Sequence, residues 1–145
     1  MTVHGVPRTR AERGSVTVWV LSLTVAVAAL GGLAIDVGRA FVVRRELATV
    51  ADAAAVAGAS GVDVASLRVG GAALDPQRVD ALVAVAVASH SAASAIDEVR
   101  VVVTDAQRVE VTVRGSVRVG LLGLLLDASV LAVEVHASAE PRRLP

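Results

Sequence analysis

The sequence contains no cysteine and no tyrosine, and its aromatic side chains amount to one Phe and one Trp among 145 residues. The missing cysteine excludes disulfides and thiol chemistry, and it leaves the redox compartment unread. The scarcity of rings removes the rigid anchors on which most pockets and recognition surfaces depend. A core must therefore come from Val, Ala, Leu and Ile, which offer few large side chains to shape a deep pocket. Charge of either sign is not in excess: 14 basic residues face 14 acidic ones. A neutral chain without stacking rings has neither the electrostatic footprint nor the platform for nucleic acid. Every basic residue of the balanced set is Arg. With the heavy Ala, Val and Gly usage, this reads as high-GC coding bias and carries no functional weight.

What the chain does have is one long apolar run. Val16 to Ile35 holds no charge and no proline, about the 20 residues needed to cross a ~30 Å hydrocarbon core. Arg8, Arg10 and Arg13 precede it, and Asp36 and Arg39 close it. Burying every face of so long a helix would be odd for a small soluble domain, so the run reads as a membrane span. A cleaved secretory signal ending at Gly32-Leu33-Ala34 is the competing reading. The run exceeds a typical h-region of about 7–15 residues, however, and flows into further helix without a turn. Arginines flank both ends at similar range, so charge alone barely sets the orientation. A short N-terminal tail before an apolar folding domain favours a cytoplasmic N-terminus and an extracytoplasmic C-terminal part.

Residues 1–13 show no apolar period and read as a disordered cytoplasmic tail. Helix is expected to continue from Asp36 to about Ala59, because Val37, Ala40, Phe41, Arg44, Leu47, Ala48, Ala51, Ala54 and Ala55 recur at helical spacing. Residues 14–59 thus form a transmembrane anchor that becomes an amphipathic helix. Gly58, Ser60 and Gly61 end it. Residues 60–145 then form a small extracytoplasmic α+β domain. A loop through Gly70-Gly71 leads to Asp75-Pro76, an N-cap with Pro at the first helical position. The second helix runs to about Ser91, with Val79, Leu82, Val83 and Ala86 as its apolar face.

The last third changes period from helical to alternating. Val99 to Val103 is a β-branched strand, and Thr104 to Gln107 a turn. Val109, Val111, Val113, Val117 and Val119 alternate with polar residues as a second strand, with a kink or a bulge expected at Gly115. Val130 to Ala139 alternates again. The fold class is therefore α+β: a long N-terminal helix, a second helix and an antiparallel sheet of about three strands. Between the last two strands, Gly120 to Leu126 is too short to span a bilayer. It reads first as a buried plug under the sheet, and second as an exposed patch that docks on membrane or on a partner.

No catalytic constellation can be assembled. His4, His90 and His136 lack metal-ligand spacing, and on a helix Ser89 and Ser91 point away from the His90 imidazole. Asp97-Glu98 marks a loop before a strand. Neither phosphate-cradling glycine pattern occurs. Asp127-Ala128-Ser129 begins like the metal-ion motif of von Willebrand A domains, but Leu131 stands at the third hydroxyl position. The expectation is no enzyme, no metal, no cofactor and no small-molecule substrate. At the membrane edge, Asp36 and Arg39 are spaced for an interfacial ion pair or for simple solvation at the headgroups. Asp52, within an Ala-rich helix face, is either a solvated position or a polar register mark in a helix–helix interface.

Three segments carry a resemblance. Arg13-Gly14-Ser15 leads into the apolar run, Ala34-Ile35-Asp36-Val37-Gly38-Arg39 closes it, and Ala51 to Ala59 reads ADAAAVAGA. In this order and spacing they resemble the TadE/TadG-like family of Flp (Tad) pilus-assembly proteins, over about a third of the chain. The length is similar to that of the short TadE-like proteins of actinobacterial secretion clusters. The resemblance implies a membrane-anchored accessory or a minor pilin-like component of a type IV-related pilus or secretion machine. Its implied partners are the lipid bilayer and other membrane proteins of that machine. It also implies possible processing at Gly14-Ser15, and it singles out Asp36, Gly38, Arg39 and Asp52 as edge and interface positions. One departure stands out: processed members carry Glu five positions after the cleaved glycine, where this chain has Trp19. A secreted binding module released by signal peptidase is the alternative function.

Overall fold

The computed structural model describes residues 12–104 and 106–141. Its first element, α1 (Glu12–Ala59), is one continuous helix of 48 residues, about 72 Å long at 1.5 Å per residue. Residues 16–31 are all exposed along its first half. The second half packs: Leu47, Val50, Ala51, Ala54, Ala55 and Ala59 are buried. Seven elements follow, namely α2 (Val64–Arg68), α3 (Pro76–Ala88), a 3-10 turn (Ser91–Ala95), β1 (Ile96–Thr104), β2 (Arg108–Arg118), α4 (Leu121–Leu126) and β3 (Val130–Ala139).

The three strands form one antiparallel sheet in the order β1-β2-β3. Strict alternation drives it. Val109, Val111, Val113 and Val117 of the central strand are buried against α1 while their neighbours face outward. On β3, Val135 is buried and Glu134 and His136 are exposed, as the alternation predicts. Val79 and Val83 of α3 close the core against α1. Burying each such side chain contributes roughly 1.5–3 kcal/mol, so this valine layer is the main source of the head's stability.

Three contacts fix the direction of β2 relative to α1. A Cβ at Gly58 would touch Val109, a Cβ at Gly115 would meet Leu47, and a Cβ at Gly120 would approach the Asp36 carboxylate. The strand therefore runs back down α1 toward the apolar half. The lengths agree: 22 residues of helix from Gly58 to Asp36 span ~33 Å, and 11 residues of extended chain from Val109 to Gly120 span ~36 Å.

Several details depart from the sequence reading. The strand through Gly115 is not bulged, and its alternation continues unbroken to Val117. The irregularity lies in β1, between Ile96 and Glu98, because Gly115 brings β2 so close that a Cβ there would strike the Ala95 carbonyl. Helix α3 ends at Ala88, and the 3-10 turn from Ser91 takes over. Helix α2 stands where a loop was expected. Its start is capped by Asp63, whose carboxylate accepts the Ala65 and Ser66 amides. Of the small-residue stripe on α1, Val37 and Phe41 remain exposed, whereas Val50, which the stripe omitted, is buried. The Asp75 cap on α3 is as expected: its carboxylate accepts the Gln77 amide at 3.0 Å.

Candidate functional site

The strand β2 does not turn directly into β3. Residues between Val119 and Ser129 leave the sheet, and the Val119 N–H closes the excursion on the Ser129 carbonyl. Helix α4 lies within it. Asp127, in the left-handed region at φ 52°, ends the helix, and the Ala128 amide bonds the Gly123 carbonyl. Gly123 is needed there, since a Cβ would overlap the Ala128 carbonyl oxygen. At its start α4 has no capping side chain of its own: Gly120 holds the cap position.

Asp36 supplies what is missing. Its Oδ2 accepts the Gly120 amide at 3.0 Å and the Leu122 amide at 2.9 Å. Helix starts leave N–H groups without intrahelical partners, and a carboxylate there is favoured by both hydrogen bonding and the helix dipole. The aspartate that ends the apolar run thus caps a helix more than 80 residues later. The residue is 3% exposed, and it is the one buried charged residue among those described. One turn below, Gly32 meets Leu121: a Cβ on Gly32 would overlap the Leu121 Cδ1 atom. Helix α4 is therefore fastened to α1 at two adjacent turns, one by apolar contact and one by charge-assisted hydrogen bonds.

The remaining site residues fall out differently. Arg39 is exposed, and the Asp36 carboxylate is bonded to α4 rather than paired with it. Gly38 faces open space. Asp52 is exposed, ~24 Å up the helix from Asp36 at 1.5 Å per residue. Gly14 and Ser15 lie within α1. From sequence, Gly32 is not singled out as a contact, and Gly120 and Leu121 are read only as part of the leucine-rich segment, without their partners on α1. A signal for them did exist, in a Gly-Gly pair inside the apolar run and an apolar helix with no capping Ser, Thr, Asp or Asn of its own.

The leucine-rich segment is not the plug expected under the sheet. Leu124 is 82% exposed and Leu126 57% exposed, with Val130 beside them at 47%. On the sheet's outer face, Arg114 bridges two strands, donating to Glu134 at 2.6 Å and to Glu98 at 3.1 Å. The Arg114 hydrogen bond lowers the Glu134 pKa, outweighing desolvation. His136 continues the row, 2.9 Å from the Thr112 hydroxyl and 3.1 Å from Glu134.

Nothing among the described residues forms a cluster able to hold a metal ion. An open depression of about 180 Å³ is lined by Glu46, Thr49, Val50, His90, Ser91 and Ala92. The neighbouring Ser89 hydroxyl is engaged with the Ala86 carbonyl at 2.8 Å.

The family model described as putative Flp pilus-assembly TadE/G-like matches residues 14–72. The match covers α1 from Gly14 onward and α2, and it stops before α3, the sheet and α4. No curated protein and no solved structure matches the chain. The matched segment contains the apolar run, Asp36, Gly38, Arg39 and Asp52. Residues 14–72, about two fifths of the chain, are thus similar to the TadE/G-like family of Flp pilus assembly.

Proposed function

We propose that this protein is a membrane-anchored, pilin-like accessory or minor component of a Tad/Flp-type pilus or secretion apparatus. In this reading its work is assembly, through the bilayer and other membrane proteins of the apparatus, and it catalyses no reaction. The observation that carries the reading is the division of α1. No residue of the helix's most apolar 18-residue window is buried, while its second half is the central element of the head. A bare greasy half needs a non-aqueous neighbour, and a bilayer supplies one for the ~30 Å that 20 residues cover. The family match over residues 14–72 adds the pilus context.

The N-terminus is assigned to the cytoplasmic side and the head to the outside. An intact-mass measurement on protein extracted from its native membrane tests the anchor. A chain retaining residues 1–14 fits an unprocessed anchor, and one beginning at Ser15 fits a processed pilin-like subunit despite Trp19. A chain beginning at Ile35 would overturn the reading in favour of a released binding module. Recovery of the protein without any pilus or secretion component, under mild detergent extraction, would remove the assembly role.

A further inference from the structure

Helix α4 presents apolar side chains at one height on the molecule, and that height is set by α1. Leu121 rests on Gly32, and Asp36 holds the amides of Gly120 and Leu122. Both contacts fall in the last turn of the apolar run or immediately after it. The run has 20 residues from Val16 to Ile35, so covering a ~30 Å hydrocarbon core uses its full length. There is no slack by which α4 could stand clear of the boundary. Leu124, Leu126 and Val130 are nevertheless open to the surroundings. Arg118 and Asp127 flank the helix and are exposed, so charged groups border the apolar patch as they do in segments lying in a headgroup layer.

We infer that α4 is an interfacial foot: Leu124 and Leu126 insert into the outer leaflet beside the span, while Asp36 and Gly32 lock the foot to the anchor helix. The occupant of the patch is lipid, because Leu121 of the same short helix rests on Gly32 within the apolar run, which puts the patch at the level of that run's end. The head is then held at two points, by the span and by the foot. A second membrane contact, fixed to the first by hydrogen bonds to the buried Asp36, removes the swivel that a lone helix would leave. The inference rests on α1 crossing the bilayer, and the test separates the two.

The full-length chain is reconstituted in phosphatidylcholine/phosphatidylglycerol vesicles, with or without lipids brominated along the acyl chain. Native Trp19, exposed within the apolar run, reports on the span. Trp19→Phe/Leu124→Trp reports on the foot, with Trp19→Phe/Leu126→Trp as a second reporter. Trp19→Phe/Val69→Trp reports on the far end, where Val69 is 85% exposed. The expected result is that the Leu124 and Leu126 reporters lose most of their emission to brominated lipid and are shielded from aqueous acrylamide. The Val69 reporter should show the reverse. Quenching of the foot reporters by acrylamide alone would overturn the inference, and so would shielding from both quenchers, which means protein covers the patch. If Trp19 itself escapes brominated lipid, the anchor reading fails as well, whatever the foot reporters do.

Discussion

The carboxylate of Asp36 accepts the amide of Leu122 at 2.9 Å, across 86 positions of sequence. This bond and its companion to Gly120 join the end of the apolar run, inside the family-matched segment, to a helix outside the match. They tie α4 to the helix that runs from the apolar run into the core of the head. An aspartate at the end of an apolar run could equally have been solvated at the headgroups, so its value lies in the amides it meets.

Replacing Asp36 with Ala should loosen α4 without expelling the span. The Gly120 and Leu122 amides lose their acceptor, so their hydrogen exchange in detergent micelles should speed up while core amides such as that of Val111 hold. Asp36→Asn retains an acceptor oxygen and should fall between the two. Unchanged exchange at Leu122 in Asp36→Ala would remove the capping role.

Gly32 and Leu121 should behave as a coupled pair. Gly32→Ala places a methyl where Leu121 now sits, and overpacking of this kind typically costs about 1–3 kcal/mol. Leu121→Ala vacates that space, so the double variant should recover part of the loss relative to Gly32→Ala. Chemical denaturation of the four species reads the coupling directly. Strict additivity would show that the two residues do not touch.

The ease of reading this chain from sequence tracked the range of the forces involved. Periodicity is local, so the apolar run, the Asp75-Pro76 helix start and the alternation of Val109 to Val117 were legible as written. The α+β class followed from them. Helix α2 escaped because five residues complete little more than one turn and leave no period to detect. The bulge was assigned to the wrong strand because Gly115 signals close approach without saying which backbone yields. Asp36 was recognised as a site residue, yet its partners were not, since nothing within a few residues of Gly120 encodes an acceptor from α1. Exposure of Leu124 was unreadable for a related reason: burial of so short an apolar segment depends on where the sheet places it.

Inserting a charge at mid-span should remove anchoring while sparing the head. Val25→Arg lies ten residues from Ile35 and seven before Gly32, where α1 meets α4. A central arginine costs roughly 2.5–3.5 kcal/mol on the insertion scale. The variant should shift from the carbonate-resistant membrane pellet to the soluble fraction or be degraded. Unaltered fractionation would sink the span.

Asp52 separates assembly from folding. It is exposed on the packed half of α1, so Asp52→Leu should change head stability by no more than about 0.5 kcal/mol. If the residue marks register in a helix–helix interface, the same variant should lose co-purifying pilus components. Undiminished co-purification would leave Asp52 as a solvated helix position.

The row of charges across the outer face of the sheet should give the head an acid-sensitive component. Arg114 lowers the Glu134 pKa from its ordinary value of 4.5, so the folded state holds fewer protons on this group than the unfolded chain. The stabilisation is therefore full above the unfolded carboxylate value and is lost as pH falls through the lower folded one. Both partners are substantially exposed, with side-chain exposures of 47% for Arg114 and 38% for Glu134, so screening keeps the effect modest. Thermal unfolding at a series of pH values should show Glu134→Gln less stable than the parent near neutrality. The two should converge in acid, once Glu134 is protonated, and high salt should narrow the neutral gap. A gap that persists undiminished at low pH would mean Glu134 acts through packing, and that its ion pair with Arg114 contributes nothing.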